Sequence, residues 1–356
     1  MKQKSPRRQN DAPTISDVAR RAGVSPMTVS RVINDENNVR ASTREAVNTA
    51  IKALGYAPNQ AARSLAGASQ FHLGLLYSNP SAAYLSEFLV GGLEQASHNH
   101  VQFVVEKCSP GQDAQEAARR LVSSGIDGIL LPPPLSDSGP LLAFLQTDDI
   151  PAVVVATGRP NDNVSAVSID DYQAAYAMTK HIISMGHQLI GFIAGDPNQI
   201  ASERRHAGYC EAMRELNLAV PKTMVTRGLF TYRSGLDAAE QLLDLEQRPT
   251  AIFASNDDMA AATVAVAHKR GLDVPGDLTV CGFDDTALAT TIWPELTTIH
   301  QPIIDMARAA VDLLVTNIRA RRAGKQGECR HLLLDFTLIR RQSDAPPRQR
   351  PRVVGN

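Results

Sequence analysis

Apolar residues in the first sixty positions recur at helical rather than strand spacing. A first short helix is indicated by apolar residues at i, i+3, i+4 and i+7, namely Ile15, Val18, Ala19 and Ala22. Gly23 follows them and can take the positive φ of a sharp turn. Ser25 is a favourable N-cap and Pro26 suits the first helical position, so a second helix is predicted to begin there. Its buried face is expected to hold Val29, Val32 and Ile33.

A third helix is predicted after Ser42, which has the spacing of a capping box with Glu45, and it should end at Gly55. The second of the three helices would present six residues outward: Ser25, Pro26, Met27, Thr28, Ser30 and Arg31. These are the positions that a recognition helix presents to the major groove of DNA. The alternative is a small amphipathic bundle whose arginines are only solvated.

The next segment, residues 59–69, predicts a helix of about two turns with Asn59 as its N-cap. Isolated helices shorter than ~12–15 residues are marginal in water, so this one should be ordered only when something packs on it. Leu65 would be exposed there and could insert between base steps in the minor groove. A plain linker, with Leu65 packed on the rest of the protein, is the alternative.

Beyond residue 70, short apolar runs alternate with segments of helical pattern. The runs span 73–77, 103–106, 128–131, 152–156, 189–194, 251–254 and 278–282. Because their hydrophobicity is continuous rather than alternating, they are typical of parallel strands covered by helices on both faces. The sequence therefore predicts a doubly wound α/β body, in which ligands bind beyond the carboxyl ends of the strands.

Polar and aromatic residues follow several of these runs: Ser78, Asn79, Tyr84, Ser202, Arg205, Asn256, Asp257 and Asp284. Guanidinium, amide and carboxylate groups beside an aromatic ring suit a polyhydroxylated ligand, which offers hydroxyls to pair and C–H groups to stack. Asn256 and Asp257 could also serve as a helix N-cap, and Asp284 with Asp285 as a turn.

Charge divides the chain at the same place as the apolar pattern. Residues 1–69 carry eleven Lys and Arg against five Asp and Glu, a charge of +6. The remaining residues carry 25 against 32, a charge of −7, so the formal net charge of −1 conceals the asymmetry. A cationic module on an anionic body indicates a polyanionic partner for the first part only.

Composition and missing motifs exclude several classes of protein. No apolar stretch of the 356 residues approaches the ~18–20 residues of a membrane span, and no apolar segment follows the basic N-terminus, so a cytoplasmic protein is expected. The four cysteines are scattered and no metal or other cofactor is predicted. The motifs GxGxxG, GxxxxGK[ST] and GxSxG are absent, and His98 and His100 are interpreted as surface histidines, so no catalytic residue is assigned.

Residues 14–67 resemble the headpiece and hinge of the LacI/GalR family of transcriptional regulators, above all through TISDVARRAGVSPMTVSRVIN at 14–34. The resemblance implies that Pro26, Met27 and Arg31 occupy base-reading positions and that Leu65 intercalates in the minor groove. Pro26 and Met27 cannot form bidentate base contacts, so readout would depend on Arg31, thymine methyl groups and DNA shape. The DNA-binding residues expected on these grounds are Thr14, Ser25, Pro26, Met27, Thr28, Ser30, Arg31, Asn34, Asn59, Ala62 and Leu65.

The resemblance continues to Arg341 and implies a periplasmic-binding-protein-like effector domain of two doubly wound, parallel-sheet lobes. The strand ends and the resemblance together predict the effector-binding residues Ser78, Tyr84, Arg205, Phe230, Asn256, Asp284 and Gln301. Ala156 occupies a position at which sugar-binding members often carry a carboxylate. No particular sugar is therefore assigned.

The domain organisation follows from the pattern and the resemblance together. We expect a flexible basic arm at 1–13, a helix-turn-helix domain at 14–58, a hinge helix or linker at 59–69, an effector-binding and dimerisation domain at 70–341, and a flexible tail at 342–356. Lobe 1 is expected at about 70–168 and 302–328, and lobe 2 at about 169–299 and 330–341. The tail has no leucine heptads, so a dimer is expected rather than a tetramer-forming coiled coil.

These features predict a dimeric repressor of carbohydrate-utilisation genes that binds double-stranded operator DNA. A small-molecule effector, a sugar by this interpretation, would bind between the lobes and change operator affinity. Whether the effector releases DNA or promotes its binding stays open. The alternatives are a sugar-binding module without a transcriptional role and an unrecognised α/β enzyme.

Overall fold

The computed structural model describes residues 13–33, 39–56, 71–109, 111–159, 162–325 and 328–348. The chain divides into two compact units, Met1–Gln70 and Phe71–Asn356. We call the first unit the headpiece and the second the body, and each is described by itself. The division falls one residue from the change in charge and apolar pattern along the sequence.

Three helices form the described part of the headpiece: α1 (Ile15–Ala22), α2 (Pro26–Ile33) and α3 (Ala41–Leu54). Their apolar faces meet in a small core in which Val18, Val29 and Val47 are fully buried. Gly23 ends α1 with a φ of 69°, the left-handed conformation that the sequence predicted for the turn. Gly55 ends α3 in the same way, with its N–H donated to carbonyls of the last turn.

The capping of these helices is partly as expected. Thr14 and Asp17 form a capping box at the start of α1, and Ser25 Oγ accepts a hydrogen bond from Thr28 N at 3.2 Å at the start of α2. The capping box predicted at Ser42 is wrong. Helix α3 begins two residues earlier than predicted, with Arg40 as an N-cap that makes no side-chain capping bond, so Ser42 lies within the first turn.

The body contains two six-stranded sheets. In chain order the strands are β1 (His72–Tyr77), β2 (Gln102–Lys107), β3 (Gly128–Leu131), β4 (Ala152–Val155), β5 (Ser165–Ser168), β6 (Ile190–Ala194), β7 (Val225–Arg227), β8 (Ala251–Ala254), β9 (Thr279–Asp284), β10 (Thr297–His300), β11 (His331–Leu333) and β12 (Thr337–Ile339). The first sheet has the order β11-β5-β4-β3-β1-β2 and the second the order β12-β10-β9-β8-β6-β7. All neighbours are parallel except β12, which runs antiparallel to β10.

Helices cover both faces of the sheets. They are α4 (Ala82–His98), α5 (Ala114–Ser123), α6 (Gly139–Thr147), α7 (Asp171–Ser184), α8 (Ile200–Glu215), α9 (Tyr232–Leu243), α10 (Asp257–Lys269), α11 (Ala287–Thr291) and α12 (Ile303–Arg322). We call the first sheet with α4–α6 and α12 the first lobe, and the second sheet with α7–α11 the second lobe. Strands β3, β4, β8 and β9 are buried along their whole length, as expected for parallel strands covered on both faces.

The chain passes between the lobes three times: after β5, after β10 and between β11 and β12. Helix α12 therefore packs back on the first lobe, and Gly91 of α4 lets the two helices approach, because a Cβ at Gly91 would lie 2.2 Å from Ile304 O. Within the part of the chain that the structure describes, no helix has the length and apolar character needed to cross a membrane.

Two predictions about the C-terminal region require correction. Residues 330–341 were assigned to lobe 2, but β11 pairs with β5 in the first sheet and only β12 joins the second. Residues 342–348 are not a flexible tail, since Ser343 and Asp344 are buried in the second lobe. Asp344 accepts hydrogen bonds from Thr297 Oγ1 at 2.6 Å and Arg340 Nε at 3.0 Å, which anchor the segment.

Candidate functional site

The outer surface of α2 presents the residues that the sequence assigned to base reading. Ser25, Pro26 and Arg31 are exposed, and Met27 is 64% exposed, an unusual position for a large apolar side chain. Thr28 and Ser30 are half-buried on the flank of the helix. An apolar thioether and a guanidinium on one exposed helix face can contact thymine methyl groups and base-edge acceptors in a major groove.

The other predicted DNA-binding residues lie elsewhere. Thr14 is exposed at the N-terminus of α1, where its hydroxyl donates to Asp17 Oδ2 at 2.6 Å. A helix N-terminus with exposed backbone N–H groups is a position from which phosphate can be contacted. Asn34, Asn59, Ala62 and Leu65 lie outside the described residues, so the hinge helix and the leucine wedge stay predictions.

In the body, the main candidate is a cleft at the carboxyl ends of the strands, between the two lobes. It contains about 390 Å³ of space outside protein atoms, a volume that includes open solvent at its mouth. Its lining residues are Asn79, Pro80, Ser81, Tyr84, Pro133, Ala156, Gln199, Ala201, Arg205, Phe230, Asn256, Asp284 and Gln301. The location agrees with the rule that open parallel sheets bind ligands beyond the carboxyl ends of their strands.

Six of the seven predicted effector-binding residues meet in this lining; Ser78 is half-buried and is not among the residues that form it. Among the lining residues that the predicted set omitted, Pro133 follows β3 and Gln199 precedes α8. The same strand-end rule could have found Pro133, because the apolar run at 128–131 ends just before it. Gln199 lies between the end of β6 and Arg205, so the same rule could have found it as well.

Arg205 is the electrostatic centre of the cleft, and its side chain is 6% exposed. Its Nε donates to Asp171 Oδ1 at 2.7 Å, and its Nη1 donates to Ser255 O at 2.6 Å. Asp284 Oδ1 lies 3.6 Å from the same Nη1. The guanidinium also stacks on the Phe283 ring, 3.6 Å from the ring centroid. One buried cation therefore faces two buried carboxyl groups.

Burial dominates the protonation of these acids. Loss of hydration raises the pKa of Asp284 well above its usual range and also raises the pKa of Asp171, although Arg205 opposes both shifts. Directly beneath the cleft, burial raises the pKa of Asp257 to about 7, against hydrogen bonds from Thr298 and Thr286 that favour its ionised form. Asp171 and Asp284 share a single guanidinium, so the charge of one carboxylate is not balanced by a cation. This favours protonation of one of the two acids, or a ligand that donates a hydrogen bond to it.

Buried hydrogen-bonding groups without a protein partner point into the same region. Tyr84 is 4% exposed and Gln301 1% exposed, yet Tyr84 Oη and both side-chain amide atoms of Gln301 have no hydrogen-bond partner. The Asn256 side chain, by contrast, already has hydrogen-bond partners in the protein. Its Oδ1 caps α10 by accepting from Met259 N at 3.0 Å, and its Nδ2 donates to Phe230 O at 3.1 Å. Because buried polar groups are rarely left unpaired, the free groups indicate a place for a hydrogen-bonding ligand.

The backbone is strained at three lining residues. Ala156, Phe230 and Asp284 have positive φ values of 51°, 57° and 107°, a conformation that non-glycine residues rarely adopt. The Phe230 ring lies so close to Gly195 that a Cβ there would be 1.9 Å from the ring. Strain of this kind persists where the surrounding structure holds it, and it is frequent at ligand sites.

Hydrogen bonds join the two lobes around the cleft, each with a carboxylate as acceptor. Ser81 Oγ of the first lobe donates to Asp258 Oδ2 of the second at 2.6 Å. Two further bonds run from Ala287 N to Glu87 Oε1, at 3.1 Å, and from Ile200 N to Asp137 Oδ2, at 3.0 Å. Gly158 of the first lobe packs directly against α8, because a Cβ there would lie 2.7 Å from Ala201 N. The lobes are therefore closed on each other.

Groups of three or more His, Cys, Asp or Glu that could hold a metal ion are absent from the described residues. Each of the four cysteines is a free thiol, with Cys108 and Cys281 buried and Cys329 exposed. Burial raises the pKa of the Cys108 and Cys281 thiols, which makes both less reactive.

Two family models match the sequence. One, described as bacterial regulatory proteins of the lacI family, matches residues 14–59, and one for a periplasmic binding protein-like domain matches residues 179–343. The chain is 34% identical over 307 residues to catabolite control protein A of Priestia megaterium, covering 85% of this chain and 91% of that protein. It is also 34% identical over 333 residues to the transcriptional repressor PurR of Haemophilus influenzae strain PittEE, covering 92% and 98%.

Solved structures give the same result. A transcriptional regulator CelR–cellobiose complex is similar with a TM-score of 0.70 and 33% identity, covering 93% of this chain and 99% of that one. The lac repressor dimer bound to operator and the anti-inducer ONPF is similar with a TM-score of 0.73 and 27% identity, covering 94% and 100%. These proteins are regulators by name and not enzymes.

Proposed function

The chain belongs to the LacI family of bacterial transcriptional regulators, and from that premise we propose that it represses carbohydrate-utilisation genes under the control of a sugar bound between its lobes. The family assignment makes it a DNA-binding repressor with a ligand-binding domain, and not an enzyme.

The sugar is supported by the unpaired groups of the cleft. Tyr84 Oη and the Gln301 amide together offer donors and acceptors that are buried and unused. The Phe230 ring supplies a flat apolar surface beside them, and Asp284 supplies an acceptor. Hydroxyl groups alternating with C–H faces match this arrangement. One similar solved structure is, by its title, a complex with cellobiose.

Through Gln301, a bound effector could influence how the two lobes are positioned relative to each other. It lies on the crossing from β10 to α12, and its N–H donates to Asp284 O at 3.2 Å. A ligand that bonds Gln301 and Asp284 together with Tyr84 of the first lobe would stabilise one interlobe angle over others. Ligand affinity and operator affinity are then linked by one reciprocal coupling free energy, typically ~1–3 kcal/mol.

On the operator, α2 would lie in the major groove with Arg31 on a base edge, and the segment at 59–69 would pair with its copy from the second subunit. Two headpieces on one palindromic site require a dimer, and one similar structure is a repressor dimer bound to operator. Val90 and Leu93 of α4 and Val105 of β2 are large apolar residues left exposed on the first lobe. They suit contact with a second copy of the chain.

Tyr84→Phe tests the sugar site, because it removes the unpaired hydroxyl and keeps the ring. Thermal shift of the full chain against a panel of sugars should find one that raises Tm, and operator binding measured with and without that sugar should differ. Tyr84→Phe should lose both responses while keeping sugar-free operator affinity. Tyr232→Phe, at a tyrosine outside the cleft lining, is the control and should keep them.

The same experiment separates the remaining alternative, a sugar-binding module without a transcriptional role. A regulator should bind duplex DNA with an affinity that falls steeply as salt rises, since phosphate contacts release counterions. If the chain bound sugar but no DNA duplex at low salt, the proposed role in regulating transcription would be contradicted.

A further inference from the structure

The three hydrogen bonds that join the lobes around the cleft all end on a carboxyl group, and the donor in each is neutral. The pairs are Ile200 N with Asp137, Ala287 N with Glu87, and Ser81 Oγ with Asp258. A neutral donor does not balance a buried negative charge as a cation would. Arg159 of the first lobe and Glu203 of the second lie 3.9 Å apart, but both side chains are 70% exposed, so solvent screens this pair. Closure therefore transfers three carboxyl groups from water to neutral partners.

Two of the carboxyl groups accept from the first residue of a helix in the opposite lobe. Ile200 begins α8 and Ala287 begins α11, and the residue before each helix makes no side-chain capping bond. Asp137 and Glu87 of the first lobe supply the acceptors that the two helix ends lack. Because donor and acceptor belong to different lobes, both contacts exist only while the lobes are closed.

Burial raises the pKa of all three carboxyl groups, which are half-buried. Loss of hydration is the largest cause at Asp137, Glu87 and Asp258, and it outweighs the hydrogen bonds that favour their ionised forms. Opening the lobes would return water to the three groups and bring each pKa back toward its ordinary value of about 4. A group with a higher pKa in the closed state takes up protons on closure. This contribution to closure is present at low pH and is lost as the pH rises through the raised pKa values.

Glu87 has charged neighbours on the second lobe. Asp285 disfavours its ionised form, and His300 favours it. Asp285 is itself paired with Arg341 at 2.6 Å and with His300 at 3.1 Å. Because histidine side chains in general change charge between about pH 5 and about pH 8, His300 is the competing source of a pH effect at this contact.

The other two carboxyl groups lie near further acids. Arg159 favours the ionised form of Asp137, while Asp137 in turn disfavours ionisation of Asp171 in the second lobe. Asp258 disfavours ionisation of Asp284 in the same way. Repulsion between neighbouring carboxylates therefore adds to the tendency of the closed lobes to bind protons.

We propose that closure of the two lobes is coupled to protonation of Asp137, Glu87 and Asp258, so that acidification favours the closed arrangement and a rise in pH favours opening. A protonated carboxyl group still offers its carbonyl oxygen to the same donor, so the three contacts persist while the buried charge is removed. Each proton taken up on closure changes the ratio of closed to open molecules by at most about tenfold per pH unit. Coupling of this kind is independent of which effector binds.

Distances between two spin labels on the full chain, diluted with unlabelled chain, measure this ratio. The labels are attached to Ser123→Cys beside β1 and β2 and to Asp237→Cys beside β6 and β7, with Cys210 and Cys329 replaced by serine. Both sites are exposed, and β2 and β7 are the sheet edges farthest from the crossings between the lobes. We expect the closed-to-open ratio to rise at least about tenfold from about pH 8 to about pH 5.

The titration is repeated in Gly158→Ala, which weakens the close approach of the lobes and so provides a background in which the open form is populated. A ratio that does not change with pH in either background, or opening on acidification, overturns the proposal.

Combining Asp137→Asn, Glu87→Gln and Asp258→Asn removes the three titrating groups and keeps an acceptor oxygen at each contact. This variant should match the low-pH form of the wild-type protein, with the lobes closed from about pH 5 to about pH 8. Circular dichroism verifies its folding. A folded variant that opens with rising pH as the wild-type protein does would contradict the role of these carboxyl groups.

Two variants serve as controls and should keep the pH dependence. Asp312→Asn changes a carboxyl group that accepts from Gln95 and Asn99, each at 2.7 Å, within the first lobe. His300→Gln removes the competing titrating group beside Glu87. Loss of the pH dependence in His300→Gln would transfer the effect to the histidine and refute the proposal.

Operator affinity separates proton-linked closure from the proposed control of transcription. All nine histidines lie at or after residue 72, so the headpiece contains none. If the distance between the labels depends on pH and operator affinity does not, proton-linked closure stands and the proposed coupling of the cleft to the operator is contradicted. If operator DNA binds and the distance between the labels is the same at every pH, proton-linked closure is refuted and the regulator is retained.

Discussion

Helix α2, which we propose reads DNA, and the interlobe cleft hold their candidate functional side chains in opposite ways. Met27 of α2 is 64% exposed, whereas Tyr84 of the cleft is 4% exposed and Arg205 5%. The helix is positioned by a small core on its other face, with Val29 at its centre, so its outer side chains contribute little to folding. The cleft residues are part of the packing and hydrogen bonding of both lobes.

This difference in burial determines which property of the protein a substitution will change. On α2, a change of an exposed side chain is expected to alter DNA recognition and to have little effect on the stability of the headpiece. In the cleft, the same change alters ligand binding, lobe closure and stability together, because a buried group that loses its partner is penalised. Experiments on the two regions therefore need different readouts.

The largest effect is expected for Arg205→Ala. Removing the guanidinium leaves Asp171 and Asp284 buried without their cation, which should lower the free energy of unfolding of the body by ~3–5 kcal/mol. Denaturant titration measures the loss, and the effector response of operator binding should vanish. The headpiece, which is a separate compact unit, should keep its own unfolding transition. A stable Arg205→Ala protein that still responds to effector would contradict the role assigned to the pair.

Gly158→Ala should act on the contact between the lobes. The added Cβ would press on the start of α8 in the second lobe, and overpacking of this kind costs about 1–3 kcal/mol. We expect weaker effector binding in calorimetric titration, because the closed arrangement becomes less favourable. Gly139→Ala, which meets nothing within 4 Å in the same lobe, is the matched control. Equal effector affinities of the two variants would show that lobe closure does not depend on the close contact between Gly158 and α8.

Arg31→Ala should show the opposite profile, with recognition lost and stability kept. Loss of a base-edge contact costs about 1–3 kcal/mol in affinity for the operator and much less for random duplex. Fluorescence anisotropy on both DNAs measures the difference, and the unfolding free energy should change by less than about 1 kcal/mol, since the interactions of an exposed side chain contribute little to stability. Arg233→Ala, whose side chain is 81% exposed on the body, controls for the loss of one positive charge. Equal losses on operator and random DNA would reduce Arg31 to a phosphate contact.

The smallest effect is expected at the interlobe hydrogen bond of Ser81. Ser81→Ala removes the donor to Asp258 and should weaken effector binding by ~1 kcal/mol, the net value of a typical hydrogen bond. Ser81 also caps α4 by accepting from Tyr84 N at 3.3 Å, so Asp258→Ala, which removes the acceptor and keeps that cap, tests the interlobe bond separately. Effector affinity unaltered in Asp258→Ala would assign the Ser81→Ala effect to the cap.

The sequence predicted the architecture where local pattern and tertiary burial agree. The runs at 128–131 and 251–254 became β3 and β8 with the same bounds, because continuous apolar side chains suit strands buried on both faces. It missed β5, whose sequence SAVS is half polar although all four residues are buried. There Asn317 Nδ2 donates to Ser165 Oγ at 3.1 Å, a partner 152 residues away that no local pattern reveals.

The cleft was predicted for a related reason. Arg205, Asn256 and Asp284 follow strands that end at one edge of a sheet, so chain order alone brings them together. Ser78 also follows a strand and yet lies outside the lining, because the loop after β1 directs Asn79 and Ser81 there instead. Which of several adjacent loop residues faces a cavity depends on the backbone of the loop, and Asn79 Oδ1 fixes that by accepting from Ser81 N at 2.8 Å.

The anchored segment at 342–348 determines how short the protein can be made. Val280 N donates to Ser343 O at 2.9 Å, and Thr279 Oγ1 donates to Ala345 O at 2.9 Å, so these residues complete the hydrogen bonding of the start of β9. The matched binding-protein-like region stops at residue 343. A truncation placed at that boundary would remove Asp344, and the buried Thr297 hydroxyl would then lose the carboxylate to which it donates. Affinity tags and fusion partners therefore belong after residue 348, where the lobe retains the residues that close its last sheet.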